Sequence, residues 1–222
     1  MITLYGAMAS RAHRVVWMLK ELALPFRHVP THFMDGSTRE PEFLAINPNG
    51  RVPALADNGL LLFESLAINL HLARKYGGTP LGLAPRDTPE EALATQWSFW
   101  VVTEVEGPLF LASANRKLFA EALRVEDEAQ MAIAKLDRPL QVLDAHLSRC
   151  PHLLGERFTV ADLNVATVMD LAPQCGISLA DWPHVQAWHQ RCLARPAAAD
   201  WKDVSFSVPR PPTPLGVLKM FV

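Results

Sequence analysis

Residues 47–78, NPNGRVPALADNGLLLFESLAINLHLARKYGG, decide the fold. Asn47-Pro48 and Asn49-Gly50 are turn dipeptides, and Pro48 biases Asn47 away from helix. Val52 to Asp57 reads as a short apolar strand, Asn58-Gly59 as a two-residue hairpin turn, and Leu60 to Phe63 as the antiparallel partner. Glu64-Ser65 then opens a helix in which Leu66, Leu70 and Ala73 recur at helical spacing. Gly77-Gly78 ends it, with Arg74 and Lys75 in the last turn, where cations suit the helix dipole.

Two features of this stretch carry chemistry. A proline in a strand donates nothing to the ladder, so Pro53 belongs at an edge, a strand start or a special turn. A cis Val52-Pro53 bond would turn the backbone groups of Val52 outward, toward a ligand's own backbone. At the helix start, free N–H groups and the Ser65 hydroxyl make a carboxylate site, while Glu64 can take an ammonium. An amide, a carboxylate and an amine together are the end group of a small peptide. A purely structural βαββα unit would explain Pro53 and the hairpin, but not Glu64-Ser65 in register with them.

The run N-P-x-G-x-V-P-A-L from Asn47, followed by an acidic hairpin turn and F-E-S-x-A-I from Phe63, resembles the glutathione-binding half of the cytosolic glutathione transferases. Tyr5-Gly6-Ala7 followed by Ser10 is similar to the serine-type classes, closest to phi and theta-like bacterial members. The resemblance covers nearly all of the chain. It implies an α/β thioredoxin-like domain (βαβαββα) over residues 1–78, a linker over 79–87 and an all-helical domain over 88–222 that holds an electrophile pocket. It further implies glutathione as co-substrate, bound by Arg39, Arg51, Val52, Pro53, Glu64 and Ser65, and a small hydrophobic electrophile as the other partner. The expected assembly is a homodimer, the expected compartment the cytoplasm and the expected role detoxification.

Ser10 is the expected catalytic residue, a hydroxyl that stabilises a bound thiolate. Its plainer reading is an N-cap for the first helix. Tyr5 is the rival, since other classes use a tyrosine near the end of the first strand. Phi enzymes place a basic residue where Arg39 falls, against the glycine carboxylate of glutathione. Arg51 stands where glutamine is usual, and Asn49 where phi enzymes carry an aromatic that docks into the partner subunit. Ala7-Met8-Ala9-Ser10 departs from the serine-rich run of the zeta isomerases. A non-catalytic carrier, or glutathione-dependent isomerase or peroxidase work, remains open from the sequence.

The rest of the 222 residues fits a protein of one large or two small domains. Lys and Arg number 21 against 23 Asp and Glu, a net charge of −2, so neither nucleic acid nor an acidic membrane surface is indicated. Three cysteines, Cys150, Cys175 and Cys192, form no C-x-x-C pair, which suits reduced thiols in a cytosol-like compartment. No apolar run approaches the roughly 18 residues of a membrane span. Nor does the start of the chain show the basic and apolar regions of a signal peptide. The histidines are scattered, and no metal-ligand spacing stands out. His13 lies near Ser10, but its place on the first helix makes it a packing or surface residue rather than a triad base.

Beyond the first domain the pattern is helical. Ser37 and Glu40 have capping-box spacing, with Pro41 near the first turn. TPLGLAPR, residues 79–86, reads as the linker. Thr88 reads as the cap of a long helix, with Pro89 at the first position and Glu91 completing the box. Trp97, Trp100, Val101, Glu104 and Val105 form one stripe, which by the resemblance makes Trp100 and Glu104 candidates for the electrophile pocket. Pro139 is expected to kink a helix over 124–148. Thr159 and Asp162 read as a capping box with a structural role only, Asp181-Trp182-Pro183 opens a further helix, and the tail from Pro209 to Pro214 is too proline-rich for helix.

Overall fold

The computed structural model describes residues 1–198. Strand β1 (Ile2–Tyr5) leads through helix α1 (Ala12–Glu21) to β2 (Phe26–Val29), and the short α2 (Pro41–Leu44) precedes β3 (Ala54–Asp57), β4 (Leu60–Phe63) and α3 (Ser65–Tyr76). The sheet order is β2-β1-β3-β4, with β1 parallel to β2 and the other two pairs antiparallel. This is the βαβαββα order expected. Asn58 and Gly59 both take positive φ, 50° and 93°, as a primed hairpin turn requires. The hairpin is tied to α3 by one buried carboxylate. Asp57 accepts from His71 Nε2, Lys75 Nζ and Tyr76 OH, each at 2.8 Å. Burial pushes its pKa up, but the bonds from Lys75, His71 and Tyr76 outweigh that and bring it down to about 2.

Helix α4 (Thr88–Trp100) runs on through α5 (Glu106–Ser113) as far as Leu118. Two wide turns of π-helix interrupt it, over Val101–Val105 and Ala114–Leu118. In the first, the Glu106 N–H reaches five residues back to the Val101 carbonyl. Then come α6 (Glu126–Ala134), α7 (Asp137–Leu147), α8 (Val160–Met169), α9 (Leu171–Gln174) and α10 (Pro183–Leu193). Every residue of α8 is buried, and α8 packs against α1 and α3 of the first domain and α4 and α10 of the second. The core is therefore continuous across the seam, with Trp17 and Leu19 on one side and Trp188, Val165 and Leu109 on the other. A polar chain also crosses it. Asn69 Nδ2 donates to Asn164 Oδ1 at 2.9 Å, and Asn164 Nδ2 to Ser98 Oγ at 2.9 Å.

Several local expectations shift, each for a visible reason. Ser37 forms no box with Glu40; its hydroxyl and N–H both go to Asp35, within a short 3-10 turn over Ser37–Arg39. The cap of α4 is Asp87, not Thr88, because the Asp87 carboxylate accepts from the Glu90 N–H at 2.9 Å. With the cap at Asp87 the third helical position is Glu90, which pairs with Arg86 and Arg157, and Glu91 falls outside the box. Pro139 falls in the first turn of α7, and the helix over 124–148 divides at Lys135-Leu136 instead of kinking at the proline. Leu136, Leu140, Leu143 and Leu147 keep their buried face all the same. The Thr159–Asp162 box forms as expected, and Asp162 also accepts from Leu153 N and Trp188 Nε1, each at 2.9 Å. The proline-rich tail from Pro209 to Pro214 lies outside the described residues.

Candidate active site

Two cavities of about 500 Å³ and 490 Å³ lie side by side along the seam between α1, the 47–53 loop and α5. They share Arg11, Arg14, Arg51, Val52 and Glu106 in their walls. The first also takes in Ser10 and Arg39, with Met8, Phe33, Phe110 and Leu171 as its apolar side. The second takes in Pro53, Glu64 and Ser65. All seven residues expected from the sequence to carry catalysis and peptide binding thus line one or both cavities.

The loop that carries Val52 is folded by one side chain. Asn47 is buried, donates from Nδ2 to the Arg51 carbonyl at 2.7 Å and accepts at Oδ1 from the Asn49 N–H at 3.1 Å. The Val52-Pro53 bond is cis. The Val52 N–H and C=O have no backbone partner among the described residues. Gly50, with φ +61°, packs so closely that an added Cβ would sit 2.7 Å from Arg39 Nη1 and 2.9 Å from the Thr38 carbonyl. Gly50 therefore lets the Arg39 guanidinium lie against the loop. Glu64 holds φ +70° just before α3, which turns it into solvent beside the buried Ser65 at the helix start.

Ser10 lies just ahead of α1, whose N-cap position falls on Arg11, so the plain cap reading holds only in part. Its Oγ donates to the Ala7 carbonyl at 2.7 Å and accepts from the Ala12 N–H at 3.2 Å. His13 turns to the Ser10 carbonyl, with Nδ1 at 2.8 Å from that oxygen. A carbonyl only accepts, so Nδ1 carries the proton. Burial, with the charge of Arg14, lowers the His13 pKa to about 4, which keeps the ring neutral. Turned to the backbone in this way, it is no base for the Ser10 hydroxyl. Tyr5 packs edge-on against Phe43 with ring centroids 6.4 Å apart, and lines neither cavity.

Trp100 and Glu104, expected at the electrophile pocket, line neither cavity. Trp100 packs against Trp97 at 5.0 Å, and Glu104 is exposed. The wide turn over Val101–Val105 advances the helix by less rotation per residue, so Glu104 swings off the face of Trp97 and Val101. The helical domain instead supplies Glu106, Phe110, Thr167, Asp170, Leu171 and Gln174 to the first cavity.

Sequence reasoning missed the charged centre of the site. Arg11 Nε and Arg14 Nη2 both donate to Glu106 Oε1 at 2.6 Å, joining α1 to α5. Burial pushes the Glu106 pKa up, yet the charges and bonds of Arg14 and Arg11 outweigh it and hold the carboxyl at about 2. Burial lowers the Arg14 pKa, with Glu106 opposing. The available signal was two arginines one helical turn apart at the start of α1, the second of them beside the apolar run Val15–Leu19. No group of metal-ligating side chains occurs among the described residues.

A thioredoxin-like sheet joined to a helical domain, with a hydroxyl ahead of α1 and a peptide cradle beside it, defines a two-domain thiol-handling protein. Residues 1–74 match the family described as glutathione S-transferase, N-terminal domain, and residues 108–196 the glutathione S-transferase C-terminal domain. The chain is 35% identical to glutathione S-transferase 3 of Zea mays over 96% of this chain and 97% of that protein. It is 33% identical to the disulfide-bond oxidoreductase YfcG of Escherichia coli, over 89% and 92%. Among solved structures, the theta class enzyme of Xanthomonas axonopodis pv. citri with glutathione bound superposes with a TM-score of 0.84 at 28% identity, covering 93% of this chain and 99% of that one. The chain belongs to the glutathione S-transferase family.

Proposed function

We propose that this protein binds glutathione across both cavities, ionises its thiol and directs the sulfur at a hydrophobic electrophile. The observation that carries the proposal is the convergence of Ser10, Val52 and Glu64-Ser65, from three separate segments, on two joined cavities. In this reading Glu64 takes the glutathione ammonium, Ser65 and the start of α3 its neighbouring carboxylate, and Val52 the cysteinyl backbone. Arg39 takes the glycine carboxylate, with Arg51 beside it. That path leaves the sulfur at Ser10. Met8, Phe33, Phe110 and Leu171 form the apolar wall for the electrophile.

A thiol titrates near pH ~8.5, so about a few per cent is ionised at neutrality. Lowering that by about two units takes roughly 2.7 kcal/mol in favour of the anion. The α1 N-terminus offers about 0.3–1 kcal/mol, and a hydroxyl bond to a charged acceptor about 1.5–3. No general base is needed, and among the described residues the Ser10 hydroxyl donates to the Ala7 carbonyl and to no side chain.

The residues fall into a glutathione-binding domain over 1–78, a linker over 79–87 and a helical domain from 88. Leu60, Leu61, Phe63, Phe99 and Val102 are exposed apolar residues of β4 and the 88–105 helix. We assign them to a homodimer contact that does without an aromatic key at Asn49. A detoxifying role in the cytoplasm fits this reading.

The test is glutathione consumption with a panel of halo-aromatic, enone and peroxide substrates, comparing the wild type with Ser10→Ala. Binding of glutathione without turnover of any substrate would leave a carrier instead. Likeness to the Escherichia coli oxidoreductase favours one second reading, reduction of a disulfide by the glutathione sulfur. None of Cys150, Cys175 and Cys192 lines a cavity, so that step would run through glutathione alone. Reduction of a small disulfide in a coupled assay tests it.

A further inference from the structure

We propose that Arg11, braced by Glu106 and Arg14, receives the negative charge that leaves the sulfur, and so selects electrophiles whose acceptor becomes an oxyanion. The inference rests on the transferase reading above and adds a substrate class to it. Its starting point is a surplus of charge. Glutathione's two carboxylates and ammonium are met by Arg39, Ser65 and Glu64. That leaves Arg11, Arg14 and Arg51 against Glu106 and Asp170 in the cavity walls, one positive charge over. Against it stand the carboxylate at the neutral Ser65, which the start of α3 also holds, and the reacting charge, which has two seats: sulfur before the reaction and the electrophile after.

Position decides which of the two Arg11 serves. Its backbone adjoins Ser10, yet its Nε is drawn to Glu106 on α5, at 2.6 Å. Phe110 lies one helical turn beyond Glu106 and lines the apolar side of the first cavity. The Arg11 head group thus lies where the two cavities meet, within one helical turn of the electrophile wall. Its side chain is 38% exposed against 10% for Glu106, and Glu106 is its sole polar partner among the described residues, which leaves the terminal nitrogens to face the cavities. Arg14 is buried behind the same carboxylate oxygen, and its Nε has no hydrogen-bond partner among the described residues. Two cations on one carboxylate fix the guanidinium in place before any substrate arrives, as preorganised charge stabilisation requires.

With an enone the balance is simple. The sulfur forms a bond to the β-carbon, the C=C pair moves, and the electrons come to rest on the carbonyl oxygen as an enolate. Arg11 donates hydrogen bonds to that oxygen, and water later protonates the enolate carbon. With a benzyl halide the charge departs on a diffuse halide that accepts hydrogen bonds weakly, so Arg11 contributes little.

The experiment compares benzylideneacetone with benzyl chloride, each with glutathione, in wild type, Arg11→Gln and Arg11→Lys. The thiolate pKa of bound glutathione is titrated in each variant. Arg11→Gln is expected to lower kcat/KM for benzylideneacetone on the order of a hundredfold, and for benzyl chloride by about threefold at most. Arg11→Lys keeps the charge and the link to Glu106, and should restore part of the enone rate. The thiolate pKa should hold. Equal loss on both substrates, or a raised thiolate pKa that accounts for the enone loss, overturns the inference while leaving the transferase reading intact. A wild type that conjugates neither substrate overturns both.

Discussion

Replacing Ser10 with alanine tests how the thiol is ionised, and the free structure changes the magnitude to expect. The hydroxyl is already committed, donating to the Ala7 carbonyl at 2.7 Å. To serve the sulfur it must give that bond up. A bond to a charged acceptor is worth about 1.5–3 kcal/mol, and the neutral bond surrendered about 0.5–1.5, so the net gain between mid-range values is about 1.2 kcal/mol. At about 1.36 kcal/mol per unit, Ser10→Ala should raise the bound thiol's pKa by about one unit and cut neutral-pH turnover about tenfold. The remaining depression, about 1.5 kcal/mol, is more than an exposed helix start supplies but within the roughly 2 kcal/mol of a partly buried one, and α1 survives the substitution. Titrating the ultraviolet absorbance of bound thiolate reads the shift directly. Tyr5→Phe should leave it alone, since Tyr5 lines neither cavity. A pKa that moves only in Tyr5→Phe would refute the serine assignment.

The other predictions concern the cradle and the scaffold. Glu64→Ala and Ser65→Ala should each weaken glutathione binding by about 1.5–3 kcal/mol with little change in kcat, read from KM and kcat separately. Gly50→Ala places a Cβ 2.7 Å from Arg39 Nη1 at φ +61°, so it should cost about 1–2 kcal/mol of stability and raise the KM for glutathione; a neutral effect on both would count against Arg39. Asp57 has its folded pKa depressed to about 2, so its contribution is present above the unfolded value near 4 and is lost as pH falls through about 2. Asp57→Asn should therefore cost about 2 kcal/mol at neutral pH and flatten the acid limb of the melting profile. Asp162→Ala leaves the Thr159 N–H, the Leu153 N–H and the Trp188 indole without their acceptor, and should cost about 3 kcal/mol or more. Glutathione affinity in the protein that stays folded should not change.

Local signals carried the N-terminal half. The Asn-Gly hairpin, Pro53, Glu64-Ser65 and Ser10 act through backbone geometry that a few neighbouring residues determine, and each lies where its spacing implied. What escaped was set at a distance. Glu106 meets Arg11 and Arg14 across 95 and 92 residues, and no local pattern marks such a pair. Trp100 and Glu104 line neither cavity: Trp100 packs on Trp97, and the wide turn over Val101–Val105 turns Glu104 away from that face. The cap of α4 moved by one residue because Asp87 and Thr88 are both good caps, and Glu90 found arginine partners from two segments.

The wide turn at Val101–Val105 amounts to one surplus residue in a helix that otherwise keeps regular phase. A chain can shed such a residue and still close its helix, since the regular form has a hydrogen bond for every position. Deleting Thr103, which is exposed, would draw the turn back to α-helix, with Glu106 four residues from Val101 in place of five. Five residues of the wide turn and four of the regular helix each make about one revolution, so Glu106 would keep its face toward Arg11 and Arg14. The surplus residue thus alters length without altering phase, and its loss is expected to spare the charge between the two cavities.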